Sequence, residues 1–229
     1  MRSIHVAPGS RRFQGFPARR GRVFEELVKF FVLFFVVVEP LSMVPIFSAL
    51  TAGASTRYRR TMAVRAVVIS AIILLLFALG GAPFLAVMSI SVQAFRIFGG
   101  LVLFLISLEM VFARESGTRT STDEQEETRR RTDISVFPLA FPLIAGPGAL
   151  VTVLLWLAPV SILRQPLLFA SFVGCAALVL AITLALMLLC EPLMRLIGVT
   201  GANVANRLLG VVLGALSVQF VLDGLRSSL

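Results

Sequence analysis

Glu39 lies midway along the first long apolar stretch of the chain, followed at once by Pro40 and, within two turns, by Ser42, Met43 and Pro45. A carboxylate at that depth is costly unless it is paired, protonated or hydrated. It is therefore a candidate for proton coupling or cation contact, with a structural carboxylate tied to a helix kink as the alternative. A second stretch repeats the proline spacing: Pro142-Leu143-Ile144-Ala145-Gly146-Pro147-Gly148, with Thr152 one turn beyond. Proline inside a helix removes a backbone donor and crowds the carbonyl four residues earlier, so each pair is expected to unwind about one turn. Unwound backbone is tolerated at membrane depth where it lines a protein cavity, and there its amides and carbonyls can bind a substrate. Helix N-termini would face an anionic group and freed carbonyls a cation, a combination suited to a small zwitterion. The candidate substrate-binding set is Glu39, Pro40, Ser42, Met43, Pro45, Pro142, Ala145, Gly146, Pro147, Gly148 and Thr152, with Glu39 also the candidate for ion coupling. For Ser42 and Thr152 the competing role is hydrogen bonding between or within packed helices.

The elements that position these residues follow from composition. Of 229 residues, 58% are hydrophobic and 14% charged, and the mean hydropathy is +0.95. This is an integral membrane profile. A hydrocarbon core of ~30 Å needs about 20 apolar residues per helical crossing. Six stretches qualify: Phe24 to Leu50, Ala63 to Met88, Val92 to Ala113, Ile134 to Pro159, Leu167 to Glu191 and Val199 to Leu225. Their length favours helices over barrel strands, which alternate in runs of about ten. The expected organisation is a basic, disordered tail over residues 1–22, a first three-helix unit over 23–113, a hydrophilic connector over 114–133 and a second three-helix unit over 134–229.

The halves resemble each other. Pro40-Leu41 and Pro45 align with Pro142-Leu143 and Pro147; Pro83 aligns with Pro192; Ala94, Arg96 and Gly99 align with Ala205, Arg207 and Gly210. Three spans per copy force the second copy to enter from the opposite side. The reading is all-α, six transmembrane helices in two inverted three-helix repeats with spans one and four broken, an organisation of many secondary transporters. Arg96 and Arg207 are expected to snorkel to the interface or to contact backbone carbonyls. Glu109 lies too far from Arg96 along one helix to pair with it, and Asn203, Asn206 and Gln219 are candidates for hydrogen bonds between helices.

Charge placement bears on orientation. Arg57, Arg59, Arg60 and Arg65, with Arg114, Arg119, Arg129, Arg130 and Arg131, place the first and third connections in the cytoplasm. The basic tail (Arg2, Arg11, Arg12, Arg19, Arg20, Arg22, Lys29) argues the reverse, and the loops are given the greater weight. The net charge of +9 sits in tail and loops beside lipid head groups, which argues against nucleic acid. The single histidine is His5, in the tail, so imidazole catalysis and histidine metal clusters lack material. Cys175 and Cys190 are about 22 Å apart on one helix, too far for a disulfide. No nucleotide or haem motif is present. The chain is expected to be neither an enzyme nor a holder of a cofactor or metal.

Three segments, Glu39-Pro40-Leu41-Ser42-Met43-Val44-Pro45-Ile46-Phe47, Ala94-Phe95-Arg96-Ile97-Phe98-Gly99-Gly100-Leu101 with Glu109, and Pro138 through Gly148, resemble the signature regions of the MarC family (UPF0056), and the likeness extends from Phe24 to Leu225. The resemblance implies a multi-pass protein of the cell inner membrane, related to transporters of small neutral amino acids. Many relatives carry Asp or Asn before the first proline, then Gly and Asn; here Glu39, Ser42 and Met43 stand there. The expected function is secondary transport of a small neutral amino acid of the glycine or alanine type, by alternating access coupled to protons or sodium. The alternative is a membrane protein without transport activity that serves envelope maintenance or assembly. The expected partners are the bilayer, the substrate and the coupling cation; the oligomeric state is open.

Overall fold

The computed structural model describes residues 20–112, 133–160 and 162–228, with side chains from Val23 onward except at 197–200, 202, 203, 205 and 206. The tail before Arg20 and the connector up to Thr132 lie outside the described residues, as do the side chains of Asn203 and Asn206. The described chain is helical, without strands: α1 (Arg20–Val38), α2 (Pro40–Leu50), α3 (Thr56–Val87), α4 (Val92–Phe112), α5 (Ser135–Ile144), α6 (Pro147–Leu157), α7 (Pro166–Leu188) and α8 (Cys190–Ser228).

Residues Val23–Leu50, α3, α4, α7 and Arg207–Ser228 are each long and apolar enough to cross a bilayer. The pair α5 and α6, bent by 56°, adds a crossing if the two are taken as one span. Burial sorts the spans. The window of the first span is 67% buried, whereas those of α7 and the end of α8 are 28% and 22% buried. The broken first span therefore stands in the middle, and the unbroken helices turn side chains such as Leu76, Phe98, Leu167 and Val211 outward. In water so much exposed apolar surface would drive aggregation; in lipid it costs nothing.

Three contacts between the halves come in matched pairs, while α1 also packs on α6 and α8 without a counterpart of similar extent. α3 packs on α5 and α7 packs on α1; α2 packs on α8 and α6 on α4; α2 packs on α7 and α6 on α3. The most extensive pairing joins α4 to α8. A Cβ added at Gly100 would meet Ser217 O at 2.8 Å and Val221 Cγ2 at 2.7 Å, one at Gly210 would meet Met110 Cβ at 2.7 Å, and one at Gly224 would meet Gln93 O at 3.2 Å. Partners on α4 fall in number as those on α8 rise, so the two helices run antiparallel. Close approach through small residues is how helices associate where the surrounding lipid is as apolar as they are.

A helix start and a side-chain partner differ from expectation. α8 starts at Cys190, with only Leu189 between it and α7, rather than near Val199. Pro192 falls in the first turn of α8, where its missing N–H has no partner to lose. Gln219 donates from Nε2 to Asp223 Oδ1 at 2.8 Å along α8 instead of reaching another helix, because the two side chains are one turn apart.

Candidate functional site

The first break is a single residue. Glu39 has φ 52 and ψ 59, the left-handed region, which an L-residue other than glycine enters at a cost of about 1–3 kcal/mol. Its backbone serves both flanking helices. Glu39 N donates to Phe35 O at 3.1 Å, closing α1, while Glu39 O accepts from Ser42 N at 3.0 Å and Met43 N at 3.3 Å, opening α2. Pro40 follows at the first position of α2, where proline is pre-organised for the helix. The expected unwinding between Pro40 and Pro45 is absent: Pro45 is carried inside α2. Packing of α2 on α7 and α8 holds the turn despite the lost hydrogen bond.

The Glu39 side chain is 5% exposed, and Ser42 Oγ donates to its Oε2 at 2.8 Å. One helical turn brings Ser42 back over the carboxylate, so the donor is supplied by the element that the break starts. Met43 and Phe47 are fully buried beyond it. The carboxyl thus sits beside buried apolar side chains and accepts from a hydroxyl one turn along α2.

The second break is wider. α5 is an irregular coil in which Phe137 and Phe141 are extended before Pro138 and Pro142, as residues before proline tend to be. The chain turns at Ala145 and Gly146, with Ala145 N donating to Ala140 O at 2.8 Å, and α6 opens with Pro147 at its first position. A Cβ at Gly146 would collide with Pro142 O, so the turn admits only glycine. The structural counterpart of Pro40 is thus Pro147, each starting a helix of 11 residues. Pro142 lies before the break, unlike the Pro40 it aligns with; at a helix start the N–H that proline lacks would have had no partner within the helix.

The two breaks meet. A Cβ at Gly148 would stand 2.9 Å from Val37 Cγ1, 2.9 Å from Leu103 Cδ2 and 3.5 Å from Ile106 Cδ1. The first turn of α6 therefore lies on the last turn of α1, two residues from Glu39, with α4 behind. Ala145, Gly146 and Gly148 are buried there, whereas Pro147 is exposed and Pro142 half-buried. Thr152 is fully buried, but its Oγ1 donates to Gly148 O at 2.8 Å, within α6. Val37, Leu103 and Ile106 complete the meeting point. An alternating apolar code marks none of them in the sequence, because every residue around them is apolar too. Two cavities lie elsewhere: an apolar one of about 140 Å³ among α3, α6 and α7, lined by Ala71, Leu74, Val153 and Phe172, and an open cleft of about 410 Å³ beside Glu191 and Arg195. Glu39, Ser42 and Gly148 line neither.

The remaining polar candidates sit apart. Arg96 is half-buried with Nε lacking a hydrogen-bond partner among the described residues, Glu109 is half-buried and Arg207 is exposed. Charges that the sequence presented as loop residues or as the ends of a connector and of a span form contacts between halves. Arg59 pairs with Glu191 and donates from Nε to Thr51 O at 3.2 Å, at the end of α2. Arg65 Nη1 lies 3.2 Å from Asp133 Oδ2. Asp133 Oδ1 also accepts from Ser135 N at 2.9 Å and Ser135 Oγ at 2.6 Å, at the start of α5. These Ser135 hydrogen bonds, with Arg65 adding to them, hold the Asp133 carboxyl below the usual carboxylate range.

Helices of membrane length, lipid-facing apolar surfaces and a buried centre of broken helices define an integral, multi-pass helical membrane protein. Residues 24–229 match the family described as MarC family integral membrane protein. A UPF0056 membrane protein of Archaeoglobus fulgidus is 34% identical over 202 residues, covering 87% of this chain and 92% of that one. The UPF0056 inner membrane protein YhgN of Escherichia coli is 31% identical over 201 residues, covering 88% and 96%, and a UPF0056 membrane protein of Aquifex aeolicus is 34% identical over 204 residues, covering 88% and 93%. The chain belongs to the MarC family. No solved structure matches it.

Proposed function

We propose that this protein is a secondary transporter of small neutral amino acids, of the glycine or alanine size, working by alternating access in the cell inner membrane with Glu39 as the group that couples transport to a proton or sodium ion. The observation that carries the reading is the contact of the two helix breaks, Gly148 against Val37, beside the buried carboxyl of Glu39 held by Ser42. Half-helix N-termini at Pro40 and Pro147 supply partial positive charge for a carboxylate, and Glu39 supplies the opposite charge for an ammonium group or a coupling cation. The matched contacts between the halves and the antiparallel α4–α8 pair support two inverted three-helix repeats and six spans, with α5 and α6 counted as one. The inner-membrane name of the Escherichia coli relative supports the location.

The close approach of Gly148 to Val37 is also compatible with a second reading, a MarC-type membrane protein without transport activity that serves envelope maintenance or assembly. Purified protein in liposomes separates them. The transporter takes up labelled glycine or alanine under a proton or sodium gradient and loses that uptake in Glu39→Gln. The scaffold takes up neither under either gradient.

A further inference from the structure

We infer that the ion pairs Arg59–Glu191 and Arg65–Asp133 form a gate at one end of the molecule that closes the helix breaks off from that side. The inference rests on the transport reading for its purpose, though not for its geometry. Both pairs join the start of α3, in the first half, to the second half: Glu191 at the α7–α8 corner and Asp133 at the foot of α5. They therefore place the α2–α3 corner, the start of α5 and the α7–α8 corner at a common end.

Each pair stands at the foot of a broken span. Arg59 also grips the end of α2 through Thr51 O, and α2 runs from there to the break at Glu39 as one rigid rod of 11 residues. Asp133 caps Ser135, from which α5 leads to the break at Gly146. Moving α2 or α5 aside means first releasing one of these contacts. The one-residue break at Glu39 gives α2 a point about which to tilt.

The chemistry suits a gate better than a brace. The side chains of Arg65 and Asp133 are 58% and 49% exposed, and Glu191 is 58% exposed against 18% for Arg59. Exposed ion pairs hold weakly, so the contacts can break and re-form in each cycle. Arg57, Arg60 and Arg195 are exposed at the same end. Their like charge favours opening once the acidic partners are removed.

The test uses full-length protein in vesicles, with Cys175 and Cys190 replaced by alanine and a reporter cysteine at Met43→Cys, labelled by a membrane-impermeant thiol reagent. A second reporter, Arg60→Cys, establishes which face carries this end. Glu191→Ala and Asp133→Ala are expected to raise labelling of the reporter from that face by roughly two- to fivefold each, the range open to exposed pairs. The swap Arg59→Glu with Glu191→Arg should return it toward the parent value, and a disulfide between Arg59→Cys and Glu191→Cys should suppress it. Labelling from that face that is indifferent to all of these changes overturns the gate. Amino-acid uptake is measured in parallel on vesicles of the parent protein with its native Met43. Changed labelling without any uptake in the parent protein sinks the transport reading and leaves the gate standing; uptake with indifferent labelling does the reverse.

Discussion

Glu39 concentrates three unusual properties in one residue: a left-handed backbone, 5% exposure and a carboxyl group bonded to Ser42. A residue held in such a conformation by its surroundings points to function at that place. Ser42→Ala removes the buried hydroxyl that donates to this carboxyl, and deleting one partner of a buried hydrogen bond costs about 1–3 kcal/mol. The expected outcome is a loss of stability of that size, which thermal unfolding of parent and variant in detergent checks. Asp133 provides a second, surface test. Its folded value is depressed by Ser135 and Arg65, so its contribution to stability is complete above the ordinary carboxylate value of about 3.9 and is lost as pH falls through the lower, folded value. With half its surface in solvent the contribution is below about 1 kcal/mol. Thermal unfolding in detergent should show a small acid-side loss in the parent that Asp133→Asn lacks.

At the level of elements, the paired prolines announced both broken spans, and Gly146 marked the turn that only glycine fits. What they did not announce is which proline does what. Pro45 is absorbed inside α2 while Pro40 and Pro147 start helices, a choice made by tertiary packing and invisible to a local rule. α8 likewise starts earlier than its hydropathy suggests, because a proline in the first turn does not oppose a helix. The α4–α8 contact makes a matched pair of predictions. Gly100→Ala drives a methyl into the Ser217 carbonyl and the Val221 backbone, atoms that cannot rotate away, and should cost about 1–3 kcal/mol. Gly80→Ala, in α3 with nothing within 4 Å of the new methyl, should be neutral or stabilising by up to about 1 kcal/mol. Thermal unfolding of both variants in detergent decides it, and equal losses would contradict the packing described.

Across the whole molecule, composition and span length carried the helical membrane class. The sequence could not carry the joins between halves. Arg59 and Arg65 read as loop charges that orient the chain, and Asp133 and Glu191 as the ends of a connector and of a span, since pairing over such sequence separations has no local signature. The same holds for Gly148 on Val37, the contact that turns two separate kinks into one place. Topology follows from that arrangement: cysteines at Arg60 and at Arg164, in the connections that follow the first and fourth spans, should react with an impermeant thiol reagent from opposite faces of the membrane. Reaction of both from one face would contradict the inverted arrangement.

The central claim is that Glu39, at the meeting of the two breaks, couples movement of a small amino acid to an ion. Flux of labelled glycine and alanine into liposomes, under imposed proton and sodium gradients, tests it most directly when parent protein and Glu39→Gln are compared at equal, verified folding. Gradient-driven uptake by the parent that is abolished in the variant is the expected result. Uptake unaffected by Glu39→Gln, or no uptake by the parent under either gradient, would contradict the claim.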